Sequence, residues 1–384
     1  MKGVAGRGGG PRVHGGKTML AIGLMSGTSL DGIDAALIET DGEDLVRPLA
    51  FRGETYSDSA RAQLAEATAL ALTFERPRAN PEVVAAADLI TRTHVLAVQK
   101  LLRDAGRSAT EIDVIGFHGQ TVAHRPDRGW TWQIGDGQAL ADATGIATVA
   151  DLRSADVTAG GQGAPLLPVY HAALTAGLAR PLAVLNLGGV ANITWIGEDG
   201  TLIAFDTGPA NGLVDSWVEL ETGARFDAGG ALAAAGCVNE AILAAMLDHP
   251  FFDQAAPKSL DRNDFTIQPV RGLLPADGAA TLTAFTAATV AAALASLPQR
   301  PTRLLVAGGG RHNSVMLAMI AERTGLTPEP VDALGWNGDA IEAEGFAYMA
   351  VRSLKGLPIS FPGTTGVKQP TTGGVLHQPG ARGA

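Results

Sequence analysis

The sequence of 384 residues has little cysteine and few aromatic residues, and it has no long uninterrupted apolar run. Its single cysteine, Cys237, excludes an internal disulfide and any metal site built from several thiolates. A reducing compartment is the simplest setting for such a chain, so we expect a cytoplasmic protein. Because no apolar run approaches the ~18 residues of a membrane span, we also expect no membrane association.

Positive charge is scarce as well, since 29 Lys and Arg residues face 39 Asp and Glu residues and the net charge is −10. This balance argues against broad nucleic-acid binding, although local donors can still bind an anionic small molecule. Residues 1–17 are basic and glycine-rich but lack the apolar core of a secretory signal, so we expect a disordered extension. Gly16–Thr18 mimic the end of a P-loop, but Pro11 stands where that motif needs glycine.

Glycine is abundant, with 49 residues, and many of them lie in short loops beside apolar strands. The first such loop joins strands predicted at 21–25 and 35–38 into a β-hairpin. Glycines let backbone N–H groups approach an anion and hydroxyl side chains add donors, so the tip has the chemistry of a phosphate cradle; an ordinary polar loop is the alternative. We predict that Asp31 orders a metal-bound water there. The predicted nucleotide-binding residues of this tip are Ser26, Gly27, Thr28, Ser29, Leu30, Asp31, Gly32 and Ile33.

A second hairpin of the same kind is predicted in the other half of the chain. Strands at 182–187 and 193–196 flank the small-residue turn 188–192, which indicates an internal duplication and two lobes that face each other across a cleft. A later strand, 304–307, runs into Gly308, Gly309 and Gly310, whose bare backbone suits a flat ligand.

Polar side chains follow two other predicted strands. Asp206 comes directly after the strand 202–205, where a fixed carboxylate beside a nucleotide cleft suits a general base. An aspartate that merely begins the next helix is the alternative. His118, Gln120 and Thr121 follow the strand 112–117 and are predicted to reach into the cleft, or to cap the strand end.

Seven motifs in a fixed order resemble the anhydro-N-acetylmuramic acid kinase family of the actin, Hsp70 and sugar-kinase superfamily. The resemblance runs from about Met19 to about Pro379. The motifs are SGTSLDGID (26–34), FHGQT (117–121), GGQGAPLLP (160–168), LNLGGVANIT (185–194), FDTGPAN (205–211), PKS (257–259) and VAGGGRHN (306–313).

The resemblance implies an α/β, two-lobed ribonuclease H-like fold with mixed sheets flanked by helices and duplicated phosphate hairpins. The N-terminal lobe would comprise 18–160, completed by 346–384, and the C-terminal lobe 161–345. The family uses ATP and Mg²⁺ to open the 1,6-anhydro ring of a cell-wall amino sugar and to phosphorylate O6 during peptidoglycan recycling. No nucleic-acid or membrane partner is expected, and a homodimer is compatible with the sequence.

The resemblance also implies roles for individual residues. Asp206 would be the catalytic base. Gly188, Gly189 and Asn192 would contact phosphates, and Gly308, Gly309, Gly310 and Asn313 would seat the adenosine. The substrate-side residues would be His118, Gln120, Thr121, Arg153, Gln162, Gly208, Asn211 and Glu344.

The sequence differs from the family pattern at two places, and two alternative functions remain compatible with it. Ala210 replaces a glycine that is frequent in the family, and Ser154–Ala155 replace further arginines, so the basic group that meets the substrate carboxylate is undetermined. A kinase of the same fold with another sugar acceptor, or an actin- or Hsp70-like ATPase without kinase activity, would share the nucleotide hairpins.

Overall fold

The computed structural model describes residues 17–260 and 264–380, so the expected extension lies outside the described residues except for Lys17. The strands are β1 (Met19–Ser26), β2 (Gly32–Thr40), β3 (Val46–Thr55), β4 (Val114–Arg125), β5 (Trp130–Ile134), β6 (Thr148–Ala150), β7 (Leu182–Leu187), β8 (Val190–Ile196), β9 (Leu202–Pro209), β10 (Arg303–Ala307), β11 (Pro328–Pro330) and β12 (Val375–His377). The helices are α1 (Asp58–Ala71), α2 (Pro81–Asp104), α3 (Gly137–Thr144), α4 (Ser154–Thr158), α5 (Pro168–Leu174), α6 (Asn211–Thr222), α7 (Ala231–Ala234), α8 (Glu240–Leu247), α9 (Pro275–Ala295), α10 (Ser314–Thr324), α11 (Ile341–Leu354) and α12 (Pro362–Thr365).

The strands form two mixed sheets of similar topology. The first has the order β12-β6-β4-β1-β2-β3, with β5 paired to β4, and the second has the order β11-β10-β7-β8-β9. In each sheet, three consecutive antiparallel strands are followed across the sheet by two parallel ones. The predicted hairpins are confirmed as β1–β2 and β7–β8, each formed by the first two strands of its sheet.

Apolar cores lie on both sides of the sheets. Helices α1, α2 and α3 pack on the first sheet, and α6, α9 and α10 enclose the core of the second. A third core joins the two sheets through α5 and α11. Because α11 runs from Ile341 to Leu354, it spans the expected lobe boundary at 345/346.

Helix α11 lies unusually close to the first sheet because glycines face it. A Cβ atom on Gly23 of β1 would lie 1.7 Å from the carbonyl oxygen of Ala343, and one on Gly116 of β4 would lie 2.0 Å from that of Phe346. Only glycine therefore permits this contact between the helix backbone and the strands.

Two strands extend beyond their predicted ends. Strand β4 continues through His118 to Arg125, since it pairs with β5, and β9 continues through Asp206 to Pro209, since it pairs with β8. The expectation that both residues follow a strand end is thus wrong. Both ladders contain a bulge, between Thr121 and Ala123 in β4 and between Ala191 and Asn192 in β8.

Helix α9 is long and apolar enough to cross a membrane by length and composition, within the part of the chain that the structure describes. The sequence predicts a long Ala- and Thr-rich helix at 279–297 packed on the sheet, and its threonines interrupt any continuous apolar run. In the fold, 83% of its most apolar window is buried inside the protein, as in a core helix.

Candidate active site

A cleft of about 500 Å³ lies between the two sheets and brings together residues from distant parts of the chain. Seven predicted site residues line it: Asp31, Arg153, Gly188, Asn192, Asp206, Gly308 and Gly309. Polar residues that sequence reasoning left out of the site also line it: Asp34, Asn186, Ser259, Asp339 and Glu342. The two predicted hairpins, the glycine triplet and the predicted base therefore share one cleft.

The tip of the β1–β2 hairpin is anchored to α1. The N–H of Leu30 donates to the carbonyl oxygen of Gly27 at 3.2 Å, and Leu30 itself adopts a left-handed φ of 57°. Arg61 of α1 donates to the carbonyl oxygen of Leu30 at 3.2 Å and to Oδ1 of Asp31 at 2.8 Å. The Asp31 side chain still keeps 72% of its surface exposed, so it can also face a ligand.

Ser26 and Gln120 support the hairpin from behind and are fully buried. Ser26 Oγ donates to Gln120 Oε1 at 2.6 Å, while Gln120 Nε2 donates to the carbonyl oxygen of Gly27 at 3.2 Å. The Tyr56 hydroxyl lies 2.9 Å from Ser26 Oγ. The structure thus brings neither residue to the cleft surface, and their contacts fix the shape of the tip.

The second hairpin tip is held by the start of α6. The backbone N–H of Asn211 donates to the carbonyl oxygen of Gly188 at 2.9 Å, and that of Gly212 to the carbonyl oxygen of Gly189 at 3.1 Å. The Asn211 side chain donates to the carbonyl oxygen of Leu187 at 2.8 Å. The N-terminus of this 12-residue helix therefore begins at the glycine tip, an arrangement that favours an anion.

Asp206 projects from within β9 and is held by the segment that follows Pro257. Its N–H donates to the carbonyl oxygen of Lys258 at 3.0 Å, and its Oδ2 accepts from the N–H of Leu260 at 2.8 Å. Burial raises the pKa of Asp206 to about 7, against the opposing effect of the Leu260 hydrogen bond. A carboxyl group with this pKa can accept a proton near neutral pH.

Three further carboxyl groups, those of Asp34, Asp339 and Glu342, line the cleft near Asp31. Burial, followed by the charges of Glu342, Asp339 and Asp31, raises the pKa of Asp34 to about 7. Burial also raises the pKa of Glu342, against the charge of Arg153. No group of three or more metal-ligating side chains occurs within the described residues. A divalent cation here would therefore need water or phosphate oxygens as ligands, which is the usual chemistry of Mg²⁺.

Glu344, the predicted substrate residue of α11, does not line the cleft. Its carboxylate accepts from the Tyr170 hydroxyl at 2.5 Å and is buried between helices, which raises its pKa to about 7. Glu342 faces the cleft instead. Residues two apart on a helix point about 200° apart, so helical geometry already indicated that only one of the two could do so.

The glycine triplet comes directly after β10 in the chain, and Gly308 lies close to the backbone of β7. Gly308 has φ 76°, and a Cβ there would lie 2.7 Å from the carbonyl oxygen of Leu187. Arg311, which is buried, donates to Asp332 at 2.8 Å and to Asp339 at 2.9 Å. Asn313 caps α10 by accepting from the N–H of Met316 at 2.9 Å. Gly310 is buried and does not line the cleft.

The remaining predicted substrate residues lie behind or beside the cleft. Thr121 Oγ1 accepts from Gln133 Nε2 at 3.1 Å, and Gln162 Oε1 accepts from the Ser259 hydroxyl at 3.3 Å. Gly208 is buried within β9, and His118 is buried within β4. None of these four lines the cleft, although Gln162 contacts Ser259, which does.

Two equivalent sheets, each presenting a glycine hairpin to one cleft, define the two-lobed α/β fold of the actin, Hsp70 and sugar-kinase class. One solved structure matches the chain at low sequence identity. Component A of the (R)-2-hydroxyglutaryl-CoA dehydratase from Acidaminococcus fermentans is 11% identical with a TM-score of 0.47, covering 88% of this chain and 99% of that one.

Several curated proteins share much more sequence identity with the chain than that structure does. The model of the anhydro-N-acetylmuramic acid kinase family matches residues 19–379. Proteins of that name from Rhizorhabdus wittichii and Zymomonas mobilis are 69% and 56% identical, over 94% of this chain and 99% and 100% of theirs. The chain belongs to the anhydro-N-acetylmuramic acid kinase family. It is a kinase, a phosphotransferase with an alcohol group as acceptor. The predicted family is thereby confirmed, and a non-kinase ATPase is disfavoured.

Proposed function

We propose that this protein uses ATP to open 1,6-anhydro-N-acetylmuramic acid and to phosphorylate its O6 in one coupled reaction. Water adds at the anomeric carbon, the bond from that carbon to O6 breaks, and O6 takes the γ-phosphoryl group. The products are N-acetylmuramic acid 6-phosphate and ADP. The substrate is inferred from the name shared by the curated relatives, and the proposed setting is peptidoglycan recycling in the cytoplasm, where ATP is available.

The observation that carries this proposal is the position of Asp206 in the cleft beside the glycine hairpins. As base, Asp206 takes a proton from the attacking water, whose remaining hydroxyl bonds to the anomeric carbon. Its pKa of about 7 suits this task, because the group is largely deprotonated just above neutral pH and still accepts a proton readily.

The two glycine hairpins are proposed to hold the phosphates of ATP. Backbone N–H groups of 27–31 and 188–189, together with the start of α6, would face the phosphate oxygens. Five cleft carboxyl groups and bound phosphates would be mutually repulsive, so a divalent cation fits the site. Mg²⁺ would neutralise charge on the transferred group, with Asp31 and Asp34 as its nearest protein oxygens or as acceptors from its waters.

Glu342 and Arg153 are proposed to contact the sugar side of the site. Both line the cleft together with Asp206. The Glu342 carboxylate can accept hydrogen bonds from the sugar, and the Arg153 guanidinium can donate them. Lobes comprising 18–160 with 346–384, and 161–345, would close over the sugar and exclude bulk water, which limits wasteful ATP hydrolysis.

Turnover in ¹⁸O-labelled water tests the coupled reaction directly. Mass spectrometry should find one label in the sugar phosphate, on the anomeric hydroxyl, and none in the phosphoryl group. A product without label would contradict water addition at the anomeric carbon. A control with N-acetylglucosamine tests the rival acceptor, since faster phosphorylation of that sugar would favour a kinase of another specificity.

A further inference from the structure

Two sequence motifs, 117–121 and 160–168, meet at Arg153. Its Nε donates to His118 Nε2 at 3.1 Å, and its Nη1 donates to the carbonyl oxygen of Gly163 at 2.8 Å. Both acceptors are neutral. Within residues 17–260 and 264–380, Arg153 forms no ion pair, although Glu342 shares the cleft with it. The guanidinium is thus held in place by groups that do not neutralise its charge.

The contact with Arg153 fixes the protonation state of His118. Arginine has only donors, so Nε2 of His118 must accept, and the ring proton lies on Nδ1. Burial, and then the charge of Arg153, keeps the pKa of His118 well below its usual value. The ring is 5% exposed and packs 4.7 Å from the ring of Phe346, which leaves it little freedom to turn.

We propose that His118 is a positioning residue that does not touch the substrate. Its unprotonated Nε2 aims the Arg153 guanidinium into the cleft, where the unused N–H donors receive an anionic oxygen of a bound ligand. This role differs from the substrate contact expected of His118 from the sequence. It also accounts for the buried placement of the FHGQT motif, which acts through a second side chain.

The inference rests on the proposed function, which supplies two anions that a guanidinium recognises, the carboxylate of the sugar and the terminal phosphate of ATP. The same planar donor geometry serves either anion. If the variants bind one substrate more weakly, the anion of that substrate is the one that Arg153 contacts.

The test compares His118→Leu, His118→Gln, Arg153→Met and the double variant His118→Leu/Arg153→Met in the full-length protein. We expect His118→Leu to raise KM for one substrate about 10-fold, with a smaller change in kcat. Glutamine offers an acceptor oxygen at a similar reach, so His118→Gln should restore KM to within about 3-fold. The double variant should be no worse than Arg153→Met alone, because His118 acts through Arg153.

A sugar without a carboxylate shows which of the two anions Arg153 contacts. If the KM effect disappears with 1,6-anhydro-N-acetylglucosamine, which lacks the lactyl carboxylate, Arg153 meets the sugar; if the effect is on ATP, it meets the phosphate. Additive losses in the double variant, or equal losses for Leu and Gln, would overturn the positioning role. Calorimetric titration of ATP and of sugar into the same proteins gives the same comparison without turnover. An inactive wild-type protein would contradict only the proposed function.

Discussion

At the scale of single residues, the cleft sorts its carboxyl groups by environment. Asp206 is partly buried and accepts one backbone hydrogen bond, Asp34 is partly buried among other carboxyl groups, and Asp31 is exposed beside Arg61. The first suits proton transfer at neutral pH, and the last suits a metal-bound water. The residue type is the same in each case, so the surroundings decide the chemistry.

Replacement of Asp206 by Asn should lower kcat for sugar phosphorylation by about 10³-fold, because a positioned base contributes a factor of this order. Affinity for ATP should stay within a few-fold, since in the proposed reaction this carboxylate acts on water and not on the nucleotide. Initial rates and calorimetric ATP binding measure the two effects. A variant with about the wild-type rate would remove Asp206 from the base role.

The wild-type kcat/KM should rise with pH and level off above about pH 7, because Asp206 must be deprotonated to act. Asp34 has a pKa raised to a similar value, so Asp34→Asn is the matched control. If the midpoint persists in that variant, it does not belong to Asp34, which is the result expected for Asp206 as the base. A flat profile from about pH 5 to about pH 8 would contradict the assignment.

Glu342 and Glu344 form a natural pair for comparison, since both lie in the first turn of α11 and only Glu342 lines the cleft. We expect Glu342→Gln to reduce kcat/KM for the sugar at least about 10-fold more than Glu344→Gln does. Glutamine can still accept from the Tyr170 hydroxyl, so Glu344→Gln keeps that contact. A larger kinetic loss at 344 would reverse the assignment.

At the scale of elements, local patterns predict the hairpins and several helix starts correctly. The predicted strand 182–187 is β7, and Pro81 begins α2 as expected. The patterns fail where pairing with a neighbouring strand extends a strand beyond its apolar residues, as at Asp206 in β9, which pairs with β8. They also place Glu344 rather than Glu342 in the site, because the direction in which α11 faces depends on its packing against β1 and β4.

Because α11 and β1 are in close contact at Gly23, we expect one added methyl group there to lower the free energy of unfolding strongly. Gly23→Ala should lower the free energy of unfolding by about 3 kcal/mol, because the new Cβ would meet the helix backbone, which cannot move aside. Gly177→Ala is the control, since an added Cβ there meets nothing within 4 Å. Urea unfolding measures both. Equal midpoints would show that α11 can shift without cost.

At the scale of the whole molecule, the carboxyl groups that the cleft needs for its function lower the free energy of unfolding. Burial raises the pKa values of Asp34 and Asp206 to about 7. Such groups hold a proton in the folded state that the unfolded chain has already lost, so they weaken folding as pH rises from their ordinary pKa toward about 7. A bound cation would offset this penalty for Asp34.

The ligand-free protein carrying Asp34→Asn should therefore lose less stability than the wild type between pH 5 and about pH 7. The carboxyl group has a raised folded-state pKa, so its destabilising effect grows through this range and is complete above it. Thermal unfolding at a series of pH values measures the difference. Parallel curves for the two proteins would mean that Asp34 is already well solvated.

The path of α11 bears on how chimaeras of this protein should be joined. A junction at 345/346 would cut the helix after its first turn and separate Glu342 from the part of the helix that is seated on Gly116 of β4. Glu342 and the part of the helix from Phe346 onward would then come from different parent proteins, whose helix positions need not agree. Crossovers placed before Asp339 or after Leu354 would carry both from the same parent.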